Sequence, residues 1–305
     1  MKVRAPSRIL VAAMFSPLAL VIADNAFSSD GWDGTRWRGC GGADSRRYDS
    51  LQVVGLTSDQ RLICFNERRP QASQTIGYVA GLSGDTRLVG IDFRVQDGML
   101  YGVGDGGGVY TLDTSNATAT LVNRLTVPLQ GTSFGVDFNP VADRLRIVSD
   151  TGQNLRHNVG MNGTTLQDDL LDYPVAAQLN SVGPTATGVT GSAYTNNDLA
   201  VDTATTLYSL DTSLDQISIQ SPPNDGTLAA TGKLGVDAQA QSGFDIYSEL
   251  RDGVTIGVHA FASLTQSDGS TAFYRVTLST GEASLRRGFN KRDEVIDIAI
   301  PLDQL

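Results

Sequence analysis

GIDFRVQDGMLYGVGDGGGVYTLD, Gly90–Asp113, reads as three short strands separated by two turns. Gly90-Ile91-Asp92-Phe93, Tyr101-Gly102-Val103 and Val109-Tyr110-Thr111-Leu112 carry the alternating β-branched and aromatic residues of strands, and Gly and Asp cluster between them as turn residues do. The last two segments form a hairpin, and that hairpin recurs. Gapless copies run from Val54-Gly55-Leu56 to Leu62–Asn66, from Arg146-Ile147-Val148 to Leu155–Asn158, and from Leu199-Ala200-Val201 to Leu207–Asp211. The offset between the paired segments is nine residues at Gly55→Cys64, Gly102→Thr111, Ile147→Arg156 and Ala200→Ser209. A fifth, looser copy runs from Ile256–Phe261 to Ala272–Thr277.

Gly90-Ile91-Asp92-Phe93 recurs as well, as Gly135-Val136-Asp137-Phe138 and Gly243-Phe244-Asp245-Ile246, with Gly191-Ser192-Ala193-Tyr194 as a degenerate version. Further alternating strands follow the hairpins, as at Ala119–Val122 and Ala283–Arg286. Four strands per unit at a period of about 45–56 residues predict propeller blades, whose sheets bury both faces against their neighbours. The first hairpin lacks a Gly-x-Asp strand before it, while Val295–Ile300 matches that strand and has no hairpin after it. The two ends therefore complete one blade, close the ring and remove exposed edges. The expected fold is all-β: a five-bladed β-propeller of four-stranded antiparallel blades, spanning residues 51–305.

Composition agrees. The chain has 305 residues, 40% hydrophobic and 18% charged, with a net charge of -10, which excludes disorder, collagen and a polybasic nucleic-acid binder. Thirty-three Gly, ten Pro and only three Lys (Lys2, Lys233 and Lys291) describe turn-rich, helix-poor sequence.

Lys2, Arg4 and Arg8 precede an apolar run from Ile9 to Ala23 with small or apolar residues before Asp24. This is the pattern of a secretory signal peptide over residues 1–23, too short and too broken by Pro17 to span a bilayer. Its removal takes three positive charges and no negative ones, changing -10 to -13. The mature chain is then expected in a secreted or periplasmic location, without membrane insertion. Residues 24–50 read as an irregular segment. Cys40 and Cys64 are the only two cysteines, and in an oxidising compartment they are expected to pair as one disulfide.

Several stretches together resemble a bacterial family catalogued as domain of unknown function 4394. They are Gly55–Asp59 with Leu62, Gly135–Pro140, Asp143-Arg144-Leu145-Arg146, Thr151–Arg156, Tyr194-Thr195-Asn196, Thr205–Tyr208 and Pro222–Leu228. The resemblance covers roughly Leu51 to Leu302 and implies a propeller-like exported domain with no established activity. His157-Asn158-Val159-Gly160 departs from the apolar-Asn-Pro-Asp run expected after the Asn-Leu-Arg motif.

Motifs that carry chemistry fail on context. Gly102–Gly107 has G-x-G-x-x-G spacing, but a strand follows where a dinucleotide loop needs a helix. Gly131–Gly135 has G-x-S-x-G spacing around Ser133, and Val136–Pro140 again replaces the required helix. His157 and His259 have no partner at metal spacing, so no metal-binding residue is assigned among them. Asp150–Asn154 starts like a calcium loop and lacks its later Glu.

Asp92, Asp137, Asp245 and Asp297 share one register of the strand nearest the axis, where a carboxylate must find partners or suffer desolvation. They are expected to hydrogen-bond to neighbouring blades, with no cofactor; the alternative is an acidic ring at the mouth of the central channel that binds a cation or a cationic ligand, calcium being the candidate. The expected function is a binding module for a protein or carbohydrate ligand. A hydrolase or lyase with its site at the central channel, and a purely structural envelope protein, are the alternatives.

Overall fold

The computed structural model of the protein describes residues 50–160, 162–175 and 183–304. The predicted signal peptide, the irregular segment up to Asp49 and Cys40 lie outside them.

Strands β1 (Gln52–Thr57), β2 (Arg61–Asn66) and β3 (Gln74–Tyr78) form the first antiparallel sheet. The second holds β4 (Leu88–Phe93), β5 (Leu100–Gly104), β6 (Gly108–Leu112) and β7 (Ala119–Arg124). The third holds β8 (Phe134–Asn139), β9 (Arg144–Ser149), β10 (Asn154–His157) and β11 (Thr165–Gln167). The fourth holds β12 (Val189–Tyr194), β13 (Leu207–Asp211), β14 (Gln216–Gln220) and β15 (Leu228–Lys233). The fifth holds β16 (Gly243–Arg251), β17 (Val254–Thr265), β18 (Thr271–Val276) and β19 (Ala283–Gly288). The last strand, β20 (Val295–Ala299), pairs with β1 in the register Val54↔Ala299 and Leu56↔Asp297. It completes the first sheet. The five innermost strands contact one another in the circular order β20, β4, β8, β12, β16. The structure is thus a five-bladed propeller closed by its two chain ends. Among the described residues no helix is long and apolar enough to cross a membrane.

Each seam between blades holds a hydrophobic cluster. Leu56 and Leu62 meet Ile91 between the first and second blades, and Val103 and Val109 meet Ile147 between the second and third. Leu210 and Ile217 meet Phe244 between the fourth and fifth. Phe65 stands edge-on to Phe273 and Phe289 where the fifth blade meets the first. Burying a side chain of this size stabilises by about 1.5–3 kcal/mol, so the seams carry the ring. The seam between the third and fourth blades is the smallest, with Val148, Leu171, Ala186, Val189 and Leu228 as its buried members.

The glycine of the Gly-x-Asp strands has a steric cause. A Cβ on Gly90 would lie 2.4 Å from Val136 Cγ2, and one on Gly135 would lie 2.5 Å from the Ser192 backbone nitrogen. A Cβ on Gly243 would lie 2.5 Å from Asp297 Cα. At the axis, neighbouring blades approach too closely for a side chain.

One sequence expectation is corrected. Leu199-Ala200-Val201 is not a strand: residues 195–206 form the β12–β13 connection, and Val201 is 96% exposed. Leu207–Asp211 is the second strand of its blade, and its hairpin partner is β14. The apolar triplet mimics a strand locally, but Asn197 and Asp198 anchor this segment to the fifth blade. The Asn197 amide nitrogen donates to Ser248 Oγ (2.9 Å), its side-chain amide donates to the Ile246 carbonyl (3.2 Å), and Thr255 Oγ1 donates to Asp198 Oδ2 (2.6 Å).

Candidate functional site

Each Gly-x-Asp strand places its aspartate two residues after the glycine, on the same face, so the carboxylate also points at the next blade. Asp92 Oδ2 accepts from the Phe138 amide (2.7 Å), and Asp137 Oδ1 accepts from the Tyr194 amide (3.0 Å). Asp245 Oδ2 accepts from the Ile300 amide (2.6 Å), and Asp297 Oδ2 accepts from the Ile91 amide (2.7 Å). Four of the five joints around the axis therefore carry a carboxylate-to-amide bond. The joint from the fourth blade to the fifth has Ala193 in that register, and the Asn197 and Asp198 contacts serve it instead.

The four side chains are buried, and the structure gathers three of them more tightly. One carboxylate oxygen each from Asp92, Asp137 and Asp245 lies within 4.8 Å of the other two. Asp297 stands outside that triad, its Oδ1 accepting from its own following amide on Ile298 (2.9 Å). Burial pushes the Asp245 carboxyl up to about 7. Burial, reinforced by the Asp245 charge, raises Asp92 well above the usual carboxylate range; burial and the charges of Asp92 and Asp245 do the same for Asp137. Asp297 is raised by burial first and by Asp245 second. Amide hydrogen bonds oppose these shifts without cancelling them.

His157 is fully buried, its Nδ1 3.0 Å from Thr165 Oγ1 and its Nε2 2.8 Å from Asn123 Oδ1, and burial lowers it to about 4. It is a neutral, hydrogen-bonded core residue. His259 lies 3.6 Å from Glu249 and 3.2 Å from an Arg275 nitrogen. Gly102–Gly107 spans the β5–β6 hairpin turn, and Ser133 immediately precedes β8, so neither motif opens a helix. Asp150 accepts from the Thr132 amide and hydroxyl (2.9 and 2.6 Å), serving the neighbouring loop. Cys64 is buried in β2; its expected partner Cys40 lies outside the described residues.

A second cluster was not visible in the sequence. Arg146, on β9, is buried in the smallest seam. Its guanidinium donates to Asn154 Oδ1 (2.6 Å), Asp168 Oδ2 (2.7 Å) and Asn224 Oδ1 (2.9 Å), and its Nε to Tyr194 Oη (3.3 Å). Arg156 Nε also pairs with Asp168 (2.7 Å). The signal that could have exposed the cluster is Arg146 itself, an arginine at a strand position whose aligned copies hold Val54 and Tyr101.

The family described as Domain of unknown function (DUF4394) matches residues 61–299. The chain belongs to that family. The DUF4394 match runs from the start of β2 to the end of β20, and so takes in both the axial aspartates and the Arg146 cluster. A comparison with curated proteins finds no match. Among solved structures, a Kuenenia stuttgartiensis hydrazine synthase is 12% identical with a TM-score of 0.38, covering 70% of this chain and 53% of that one. A protein of unknown function from Bacteroides thetaiotaomicron VPI-5482 is 10% identical with a TM-score of 0.43, covering 82% and 56%. An auxiliary nutrient binding protein from Bacteroides ovatus ATCC 8483 is 12% identical with a TM-score of 0.36, covering 77% and 57%. The chain spans little more than half the length of each, and similarity at this level carries no argument about activity.

Proposed function

We propose that this DUF4394 propeller is an exported binding module that holds a divalent cation at its axis, calcium being suited to a donor set made wholly of oxygen. The supporting observation is the triad: three blades each bring a carboxylate oxygen within 4.8 Å of the other two, in a buried site. Like charges so close in a buried site are stabilised when protons or a cation neutralise them. A cation would join three blades at once and stiffen the ring, leaving the surface loops to contact a protein or carbohydrate ligand. Enclosure of all four carboxylates favours this reading over a hydrolase or lyase at the channel, because a general acid or base must reach its substrate.

The purely structural reading also has an observation behind it, the four carboxylate-to-amide bonds, which hold the blades without an ion. A thermal-shift titration of metal-free protein separates the two. Calcium at about 1 mM is expected to raise the melting temperature by several degrees, and Asp137→Asn to weaken that rise. The gain should grow as pH rises through about 7, where Asp245 ionises and the ion no longer competes with its proton. Absence of any calcium response at pH 8 overturns the cation site.

A further inference from the structure

The seam between the third and fourth blades departs from the other four. Its apolar cluster is small, and beside it lies a polar network centred on the buried Arg146. A buried ionic network adds less stability than well-packed apolar side chains would, so its presence in a fold otherwise closed by hydrophobic seams calls for another cause.

A cavity of about 180 Å³ opens beside this network, lined by Arg144, Arg146, Arg156, Tyr194, Pro223 and Asn224 among others. Its lining contains three arginines and no acid. Asp168, packed beneath, takes one bond from Arg146 and two from Arg156 and neutralises one of the three charges. Arg144 donates through Nη1 only to the backbone carbonyls of Ala142 (3.1 Å) and Asp143 (2.8 Å). The nearby Asp143 carboxylate is held by Arg94 on both oxygens (2.8 and 2.6 Å). The cavity is therefore a net cationic site built on strands: Arg146 is fixed by four partners and Arg156 by Asp168.

The stretches singled out in the sequence converge here. Arg144 and Arg146 come from Asp143–Arg146, Arg156 from Thr151–Arg156, Tyr194 from Tyr194–Asn196, and Pro223 and Asn224 from Pro222–Leu228. Segments spread over three strands and a distant turn supply one wall each.

We propose that this cavity binds an oxyanion, a carboxylate or phosphate carried by a small molecule. Guanidinium groups match the paired oxygens of either group: the Arg156 fork is oriented through its Nε by Asp168, while Arg146, with four of its five N–H groups taken by protein acceptors, adds positive charge to the site. The Tyr194 ring and Pro223 offer an apolar surface to the rest of the ligand. The volume admits a head group and a small ring, not a folded partner.

The test is calorimetric titration of the full-length mature protein with glucuronate, inorganic phosphate and glucose, in wild type and in the Arg144→Gln/Arg156→Gln double variant. Arg146 is left in place because its removal would strand buried acceptors. Saturable binding of glucuronate or phosphate at roughly millimolar affinity is expected, with at least a tenfold loss in the double variant and no binding of glucose. A circular-dichroism melt of the double variant accompanies the titration, and Arg144→Gln alone, which gives up only two carbonyl contacts, is read the same way if the double variant unfolds. No saturation by either anion up to about 20 mM overturns the proposal. So does unchanged affinity in the folded variants, or glucose binding as tightly as glucuronate.

Discussion

At Asp245, burial raises the carboxyl to about 7 in the folded ring, whereas the unfolded chain releases the proton near 3.8. Between those values the folded state holds more protons than the unfolded state. Stability of the metal-free protein is therefore fully present below about pH 4 as far as this group is concerned, and is lost as pH rises through about 7. The slope is at most about 1.4 kcal/mol per pH unit for each carboxyl still protonated. Asp92, Asp137 and Asp297 are shifted the same way and steepen the fall. His157, lowered by burial to about 4, works in the opposite sense, favouring the folded state as pH rises toward 6.5. Chemical denaturation at pH 5, 6, 7 and 8 in chelator should show Asp245→Asn flattening the downward component. An identical pH profile in wild type and Asp245→Asn would contradict the assignment.

At the scale of elements, the β12–β13 connection takes over a joint that the other blades make with an aspartate. Asp198 accepts from the Thr255 amide and hydroxyl and from the Ala200 amide. Burial pushes its carboxyl up, but these bonds prevail and hold it below the usual carboxylate range. Asp198→Ala removes an acceptor from donors enclosed between two blades and is expected to cost about 1–3 kcal/mol. Val201→Asp, a few residues along the same loop, should change stability by less than about 0.5 kcal/mol because the side chain faces water. Urea unfolding of both variants checks the pair. A large loss at Val201 would restore the strand reading of Leu199–Val201.

For the whole molecule, β20 carries the chain from the last blade back into the first sheet, beside β1. Deletion of residues 293–305 removes that strand, the Asp297 bond to Ile91 and the Asp293 carboxylate that pairs with the buried Arg61 (3.0 Å). It also bares the edge of β1 at the axis and leaves Ile91 and Leu56 partly uncovered. The truncated protein should melt well below wild type and with a broader transition; cooperative melting at the wild-type temperature would show that this strand does not close the ring. Export is checked on the same preparation. Mass spectrometry of protein secreted by a bacterial host should find the chain beginning near Asp24 and short of two thiols, as a Cys40–Cys64 bond requires. An intact Met1, or two labelled thiols in folded protein, would contradict it.

The repeat was legible in the sequence because a blade is a local object: alternation of period two, turn glycines and the Gly-x-Asp strand all lie within about fifty residues. The closure at Val295–Ile300 was legible by subtraction, since a four-strand unit leaves one strand missing at one end and one spare at the other. Tertiary structure alone decided what those residues do across seams. It showed that the aspartates reach the next blade's amides, that Leu199–Val201 has no strand to pair with, and that Arg146, Arg156 and Asn224 meet around one cavity. Interblade contacts join residues from different repeats, and neither periodicity nor spacing along a single chain records which side chains will face each other across the gap between two sheets.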